Sequence, residues 1–184
     1  MSGRPPPDRA TRVLLDLDYS RGTPLIIDSP GQGTATVQLF SEDDLHDCTL
    51  DAEIGLLAGA DQDRYGLTFR QSAEERYAAC TISPTGKLAI GLVDHGPALV
   101  VAEASLDDMP GFERGMGARN RVSVVVCGPT ATCMVNGVAV AAAILDARYA
   151  SGRVGAVLVH TSQAAHVQAG VTWAQARAIL AEAS

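Results

Sequence analysis

Aromatic side chains are scarce. They make up 4% of the 184 residues, with Trp173 the single tryptophan and only three phenylalanines. Few rings are available for stacking, so a sugar groove is less expected here than in a dedicated lectin. Lysine is almost missing as well: Lys87 stands alone among 14 basic residues, an arginine bias typical of a GC-rich bacterial genome. The net charge of −7 leaves no basic excess to neutralise phosphates, so nucleic acid is not an expected partner. No apolar run approaches the roughly 18 residues that a membrane-crossing helix needs. The opening "MSGRPPPDRATR" is basic and Pro-rich with no apolar stretch behind it. It does not resemble a secretory signal, and a cytoplasmic location is the expectation.

Cysteine is sparse and unpatterned. Cys48, Cys80, Cys127 and Cys133 form no CxxC pair, which argues against zinc. In a reducing compartment they are expected to be thiols. Cys127 and Cys133 flank "GPTAT", where a hairpin could bring them face to face. Motifs of catalysis are missing too. Ser162 lies between His160 and His166, but no GxSxG elbow is present. The glycines of "GFERGMG" (111–117) neither follow a strand nor open a helix, so they make no phosphate loop.

What is present is strand after strand. "CTLDAEIGLLAG" sets Leu50, Ala52, Ile54 and Leu56 against Asp51 and Glu53, the period of two of a half-buried strand. "RYGLTFRQ" and "RYAACTIS" read as a pair around "SAEE", and "PTGK" is a tight turn into "LAIGLV". Asn136–Gly137 is a strong hairpin signal, because both residues accept positive φ. Eleven or twelve short strands at regular spacing indicate an all-β sandwich or barrel. Residues 1–11 are expected to be a disordered Pro-rich arm and 12–176 a single domain. Residues 177–184 are expected to be a tail or short helix. The stretch 94–119 holds one strand, "ALVVAEA", and a Gly-rich loop.

Four segments in order, "DAEIGLLAG…DRYGLTFR" (51–70), "RYAACTISPTGKLAIGLV" (76–93), "NRVSVVVCGPTATCMVNGVAV" (120–140) and "YASGRVGAVLV" (149–159), resemble the concanavalin A-like superfamily, in its laminin-G-like bacterial branch. The resemblance implies an antiparallel jelly-roll β-sandwich of two packed sheets, one of them concave. It leaves function open among glycan-binding modules, sugar-acting hydrolases and protein-binding domains. Hydrolases of this superfamily carry Glu and Asp at alternate strand positions, ExDxE, and no such run occurs here. Calcium recurs in laminin-G-like domains. Asp16 and Asp18, Asp61 and Asp63, or Asp107 and Asp108 could contribute, but none completes a ligand pattern, so no metal site is assigned.

For ligand binding the candidates are Tyr65, Arg70, Arg76, Tyr77 and Trp173. Tyr65 and Phe69 share a strand face, either as a platform or as core with Tyr65 at its edge. Arg70 points the other way and would line the concave sheet with Arg76 and Tyr77. Its alternative is a solvated side chain paired with Glu53, Glu74 or Glu75. The expectation is a non-catalytic interaction module, acting through a protein partner or self-association. A lectin-like glycan module is the alternative, and a sugar-acting hydrolase a distant third.

Overall fold

The computed structural model describes residues 11–73 and 75–179. Thirteen strands run through them: β1 (Thr11–Asp18), β2 (Leu25–Asp28), β3 (Thr34–Leu39), β4 (Cys48–Ala58), β5 (Arg64–Ala73), β6 (Arg76–Ile82), β7 (Lys87–Asp94), β8 (Leu99–Ser105), β9 (Asn120–Cys127), β10 (Thr130–Val135), β11 (Val138–Ile144), β12 (Arg153–His160) and β13 (Gln168–Ile179). They form two antiparallel sheets packed as a jelly-roll sandwich. One sheet has the order β1-β13-β4-β9-β10-β11, with β2 also on β13, and the other the order β3-β12-β5-β6-β7-β8. One 3-10 turn, Ala147–Tyr149, is the only helical piece among the described residues.

The core follows the period of two. Leu50, Ala52, Ile54 and Leu56 of β4 are buried while Glu53 is exposed. Opposite them lie Tyr65, Leu67 and Phe69 of β5 and Ala78, Cys80 and Ile82 of β6. The Gly-rich stretch after β8 is anchored by Leu106, 1% exposed, with Met109 and Phe112 packed on the core beside it. Asn136 and Gly137 take φ of 48° and 83°, the double positive φ of the tight hairpin between β10 and β11.

Two domain bounds expected from the sequence are corrected, and the two cysteines that could have faced each other do not. β13 does not stop at 176 but pairs through Ile179 with Thr11, so 177–179 are strand and Thr11 belongs to the domain. Residues 1–10 and 180–184 lie outside the described residues. Cys133 pairs in register with Val124 and points into the core. Cys127 sits one step out of phase with the buried Val122, Val124 and Val126, so the two cysteines occupy opposite faces.

Arg70 departs most from its sequence reading. It takes a φ of 54° within a bulge between Phe69 and Ala73. Gly152 lies against that bulge, where a Cβ would come 2.4 Å from the Arg70 carbonyl carbon. Arg70 turns into the protein and is 3% exposed. Its guanidinium donates to the carbonyls of Tyr149 and Gly128, both at 2.7 Å, and of His46 at 3.3 Å, with Asp47 at 3.5 Å. It is a structural clamp, neither a groove residue nor a solvated partner of Glu53 or Glu75.

Candidate binding trough

The outer face of the six-stranded sheet is concave and encloses a trough of about 800 Å³. Its floor follows from the alternation that builds the core. With Tyr65, Leu67 and Phe69 turned inward, Arg64, Gly66 and Thr68 must turn outward. The same step on neighbouring strands brings out Tyr77 and Ala79, Gly91 and Val93, and Val157 and Val159. Bending the sheet needs glycine at two of these places. A Cβ on Gly66 would stand 1.9 Å from the Cys80 carbonyl oxygen, and one on Gly155 would stand 2.4 Å from that of Gln38. Neighbouring backbone crowds these outward positions, where no side chain fits.

Polar groups stand toward the two ends. At one end Arg64 lies half-buried across the sheet, its Nε donating to Thr81 Oγ1 at 3.2 Å and its Nη2 to the Lys87 carbonyl at 3.1 Å. Burial lowers its pKa, while the charge of Glu103 acts in the opposite sense. At the other end are Gln71, Glu75 and Arg153. Gln71 is 5% exposed, and its Oε1 has no hydrogen-bond partner. Thr68 Oγ1, on the same strand, is also buried and unpartnered. Arg153 is engaged by Glu42 at 2.8 Å. Tyr77 forms part of the floor, and burial, with Glu75 nearby, raises its phenol pKa.

The five candidate residues do not converge. Tyr65 is 1% exposed and belongs to the core, its pKa pushed up to about 12 by burial. Arg70 is the clamp described above. Arg76 pairs with Asp94 at 3.0 Å outside the trough lining. Trp173 lies on the opposite sheet, half-buried, with the Arg121 guanidinium 5.6 Å from its ring centre. Of the five, Tyr77 alone reaches the trough. Arg64 and Gln71, absent from the sequence-based set, do line it.

The remaining clusters serve the scaffold. Asp51 is bound by Arg121 and Ser123, and Glu53 accepts from Thr172, both on the seven-stranded sheet. Glu103 is on the other sheet, so these three carboxylates share no cleft. His160 meets Ser29 Oγ at 2.8 Å and the Ala164 carbonyl at 3.0 Å, whereas His166 is exposed near Asp28. Asp63 spends both oxygens on the amides of Ala60, Thr161 and Ser162 and on the Ser162 hydroxyl. Asp16, Asp18, Asp61, Asp107 and Asp108 are exposed. Among the described residues no three His, Cys, Asp or Glu side chains are grouped to hold a metal. No described helix is long and apolar enough to cross a membrane.

No family model matches the sequence, and no curated protein matches it. Solved structures do match in fold. A carbohydrate binding module, CBM66, from Bacillus subtilis superposes with a TM-score of 0.64 at 14% identity, covering 90% of this chain and 94% of that one. A protein of unknown function with a galectin-like fold, also from Bacillus subtilis, gives 0.59 at 9% identity, over 92% and 88%. The CBM2 module of the evolved Dit of Lactobacillus casei BL23 phage J-1 gives 0.58 at 7% identity, over 96% and 99%. At these identities the likeness is one of architecture: the chain shares the jelly-roll sandwich of these structures.

Proposed function

We propose that the chain is a non-catalytic binding module that takes a short glycan in the concave trough. The observation that carries this reading is the trough itself, with an apolar floor, polar groups toward its ends and a buried amide lacking a partner. Sugars present C–H faces to apolar surface and hydroxyls to polar side chains, and the trough offers both. The likeness in fold to a carbohydrate binding module over nearly the whole chain supports it. A laminin-G-like branch is supported by the order of the four sequence segments.

Gly91 provides the test. It lies in the trough with an extended backbone, and an added Cβ would meet only Ala98 and Leu99, at 3.6 Å and 3.9 Å. Gly91→Arg should therefore fold normally and fill the trough. Screened against an oligosaccharide array, the natural chain should bind a subset that Gly91→Arg loses entirely. Equal binding by both would place the glycan elsewhere.

A second reading, contact with a protein partner, is favoured by one surface. β8 and β11 are the end strands of their two sheets. They carry Leu99, Val100, Val101, Val138 and Ile144, all exposed. Their fourteen residues include one charge, Glu103, whereas β1 at the opposite end carries Arg12, Asp16 and Asp18. A strand edge with so little charge is free to accept another strand. Light scattering during size exclusion should detect an assembly that Ile144→Lys dissolves; a monomer at every concentration would exclude self-association.

A further inference from the structure

Resting on the glycan reading, we infer that the trough selects an oligosaccharide carrying one carboxylate at one end, seated on Arg64, with its neutral hydroxyls toward Gln71 and Glu75. Of the two arginines that line the trough, Arg153 is paired with Glu42 and Arg64 is not paired with a carboxylate. Arg70, Arg76, Arg114, Arg121, Arg148 and Arg153 each have a carboxylate within 4 Å. Arg64 has none among the described residues, although the protein is acidic. It is held by a hydroxyl and carbonyls, which carry no charge, and the carboxylate of Glu103 acts on it only from beyond 4 Å. Nη1 makes no hydrogen bond within the described chain, so its two N–H groups remain for an incoming acceptor. A carboxylate there would gain a charge-assisted bond in a partly desolvated setting.

The far end has no unpaired cation among its lining residues. Arg153 is neutralised by Glu42, and Glu75 leaves that end with a net negative charge. A second acidic group would be repelled there, while a hydroxyl donor is matched to the unpartnered carbonyl of Gln71. Gln71 Oε1 is buried without a partner, and turning the amide over would merely orphan its NH₂ instead. Arg64 and Gln71 are seven positions apart on β5, about 20 Å at the rise of a strand. That distance spans several sugar rings and fixes the ligand's direction along β5.

Calorimetric titration of the full chain with three matched trisaccharides tests this. One is neutral, one ends in a single glucuronate, and one carries a carboxylate on every ring. The singly acidic sugar should bind at least tenfold tighter than either of the others. Arg64→Gln should erase its advantage over the neutral sugar, and Glu75→Gln should improve the fully acidic one. Gln71→Leu, which leaves no polar atom to satisfy, should weaken all three without lowering the melting temperature. Neutral and singly acidic sugars bound alike, with Gly91→Arg blocking both, would overturn the inference and leave the glycan reading standing. A preference that survives Arg64→Gln would also overturn it. No binding of any of these sugars or of the wider array would overturn both.

Discussion

Asp63 allows the reasoning about buried polar groups to be tested on stability alone. Its side chain is fully buried between the β4–β5 and β12–β13 connections. Oδ1 accepts from the Thr161 and Ser162 amides at 2.9 and 2.8 Å, and Oδ2 from the Ala60 amide at 2.8 Å and the Ser162 hydroxyl at 2.6 Å. Asp63→Asn keeps the shape but removes the charge and turns an NH₂ toward the Ala60 N–H. Bonds to a charged group contribute about 1.5–3 kcal/mol each, and an orphaned buried donor costs about 1–3 kcal/mol. Since half of the bonds can persist, a loss of about 3 kcal/mol is expected. For a domain of this size that lowers Tm by about 6–12 °C. Burial pushes the Asp63 pKa up, but the Ser162, Ala60 and Thr161 bonds outweigh it and hold the carboxyl below its ordinary 3.8. A depressed folded pKa means that the stabilisation is complete above the unfolded value of about 3.9 and fades as pH falls through the folded value. Scanning calorimetry of both proteins between pH 7 and pH 3 should show a wide gap that narrows only below about pH 4. A gap under about 1 kcal/mol at pH 7, or one unchanged at pH 3, would refute this account.

Two further substitutions probe the scaffold of the trough. Arg70→Ala should cost about 3–5 kcal/mol by orphaning the carbonyls of Tyr149 and Gly128 and removing the cation beside Asp47, measurable as a lower denaturant midpoint. Arg70→Lys should recover little of it, because one ammonium cannot reproduce the planar fork. Gly66→Ala drives a methyl toward the Cys80 carbonyl and should pry β5 from β6, lowering both Tm and glycan affinity. An unchanged Tm would show that the sheet's bend does not depend on that glycine.

Strand positions were legible wherever one face is buried, because alternation and burial are the same fact seen twice. β4 was readable from Leu50, Ala52, Ile54 and Leu56, and the β10–β11 hairpin from Asn136–Gly137. The strand ends were less so. Ala-rich "ARAIL" suits a helix by propensity, yet pairing with Thr11 carries β13 through Ile179. The trough was legible only in outline. Assigning Tyr65, Leu67 and Phe69 to the core already sends Arg64 outward, so Arg64 was within reach of the pattern. Looking for aromatic rings instead favoured Tyr65, which is core, and Trp173, which is on the other sheet.

Gln71 was beyond reach for a different reason. Strict alternation sends Arg70 to the concave face and Gln71 to the core. A single residue of positive φ at Arg70 shifts the phase, so Gln71 takes the outward place and Arg70 turns inside. Nothing in "FRQSA" announces a bulge, since it contains neither glycine nor proline. The glycine that makes room for it is Gly152, on a segment remote in sequence. The left-handed arginine is strained, and the amide it delivers has a carbonyl with no partner. Both features cost stability, and an unbulged strand with an apolar residue at position 71 would avoid the second. The clamp made by Arg70 offsets the strain with its bonds to Tyr149, Gly128 and His46. No contact within the described chain offsets the amide. Its donor must come from outside the described chain, as water or as a hydroxyl that the trough receives, and on the glycan reading binding and stability should move in opposite directions in Gln71→Leu.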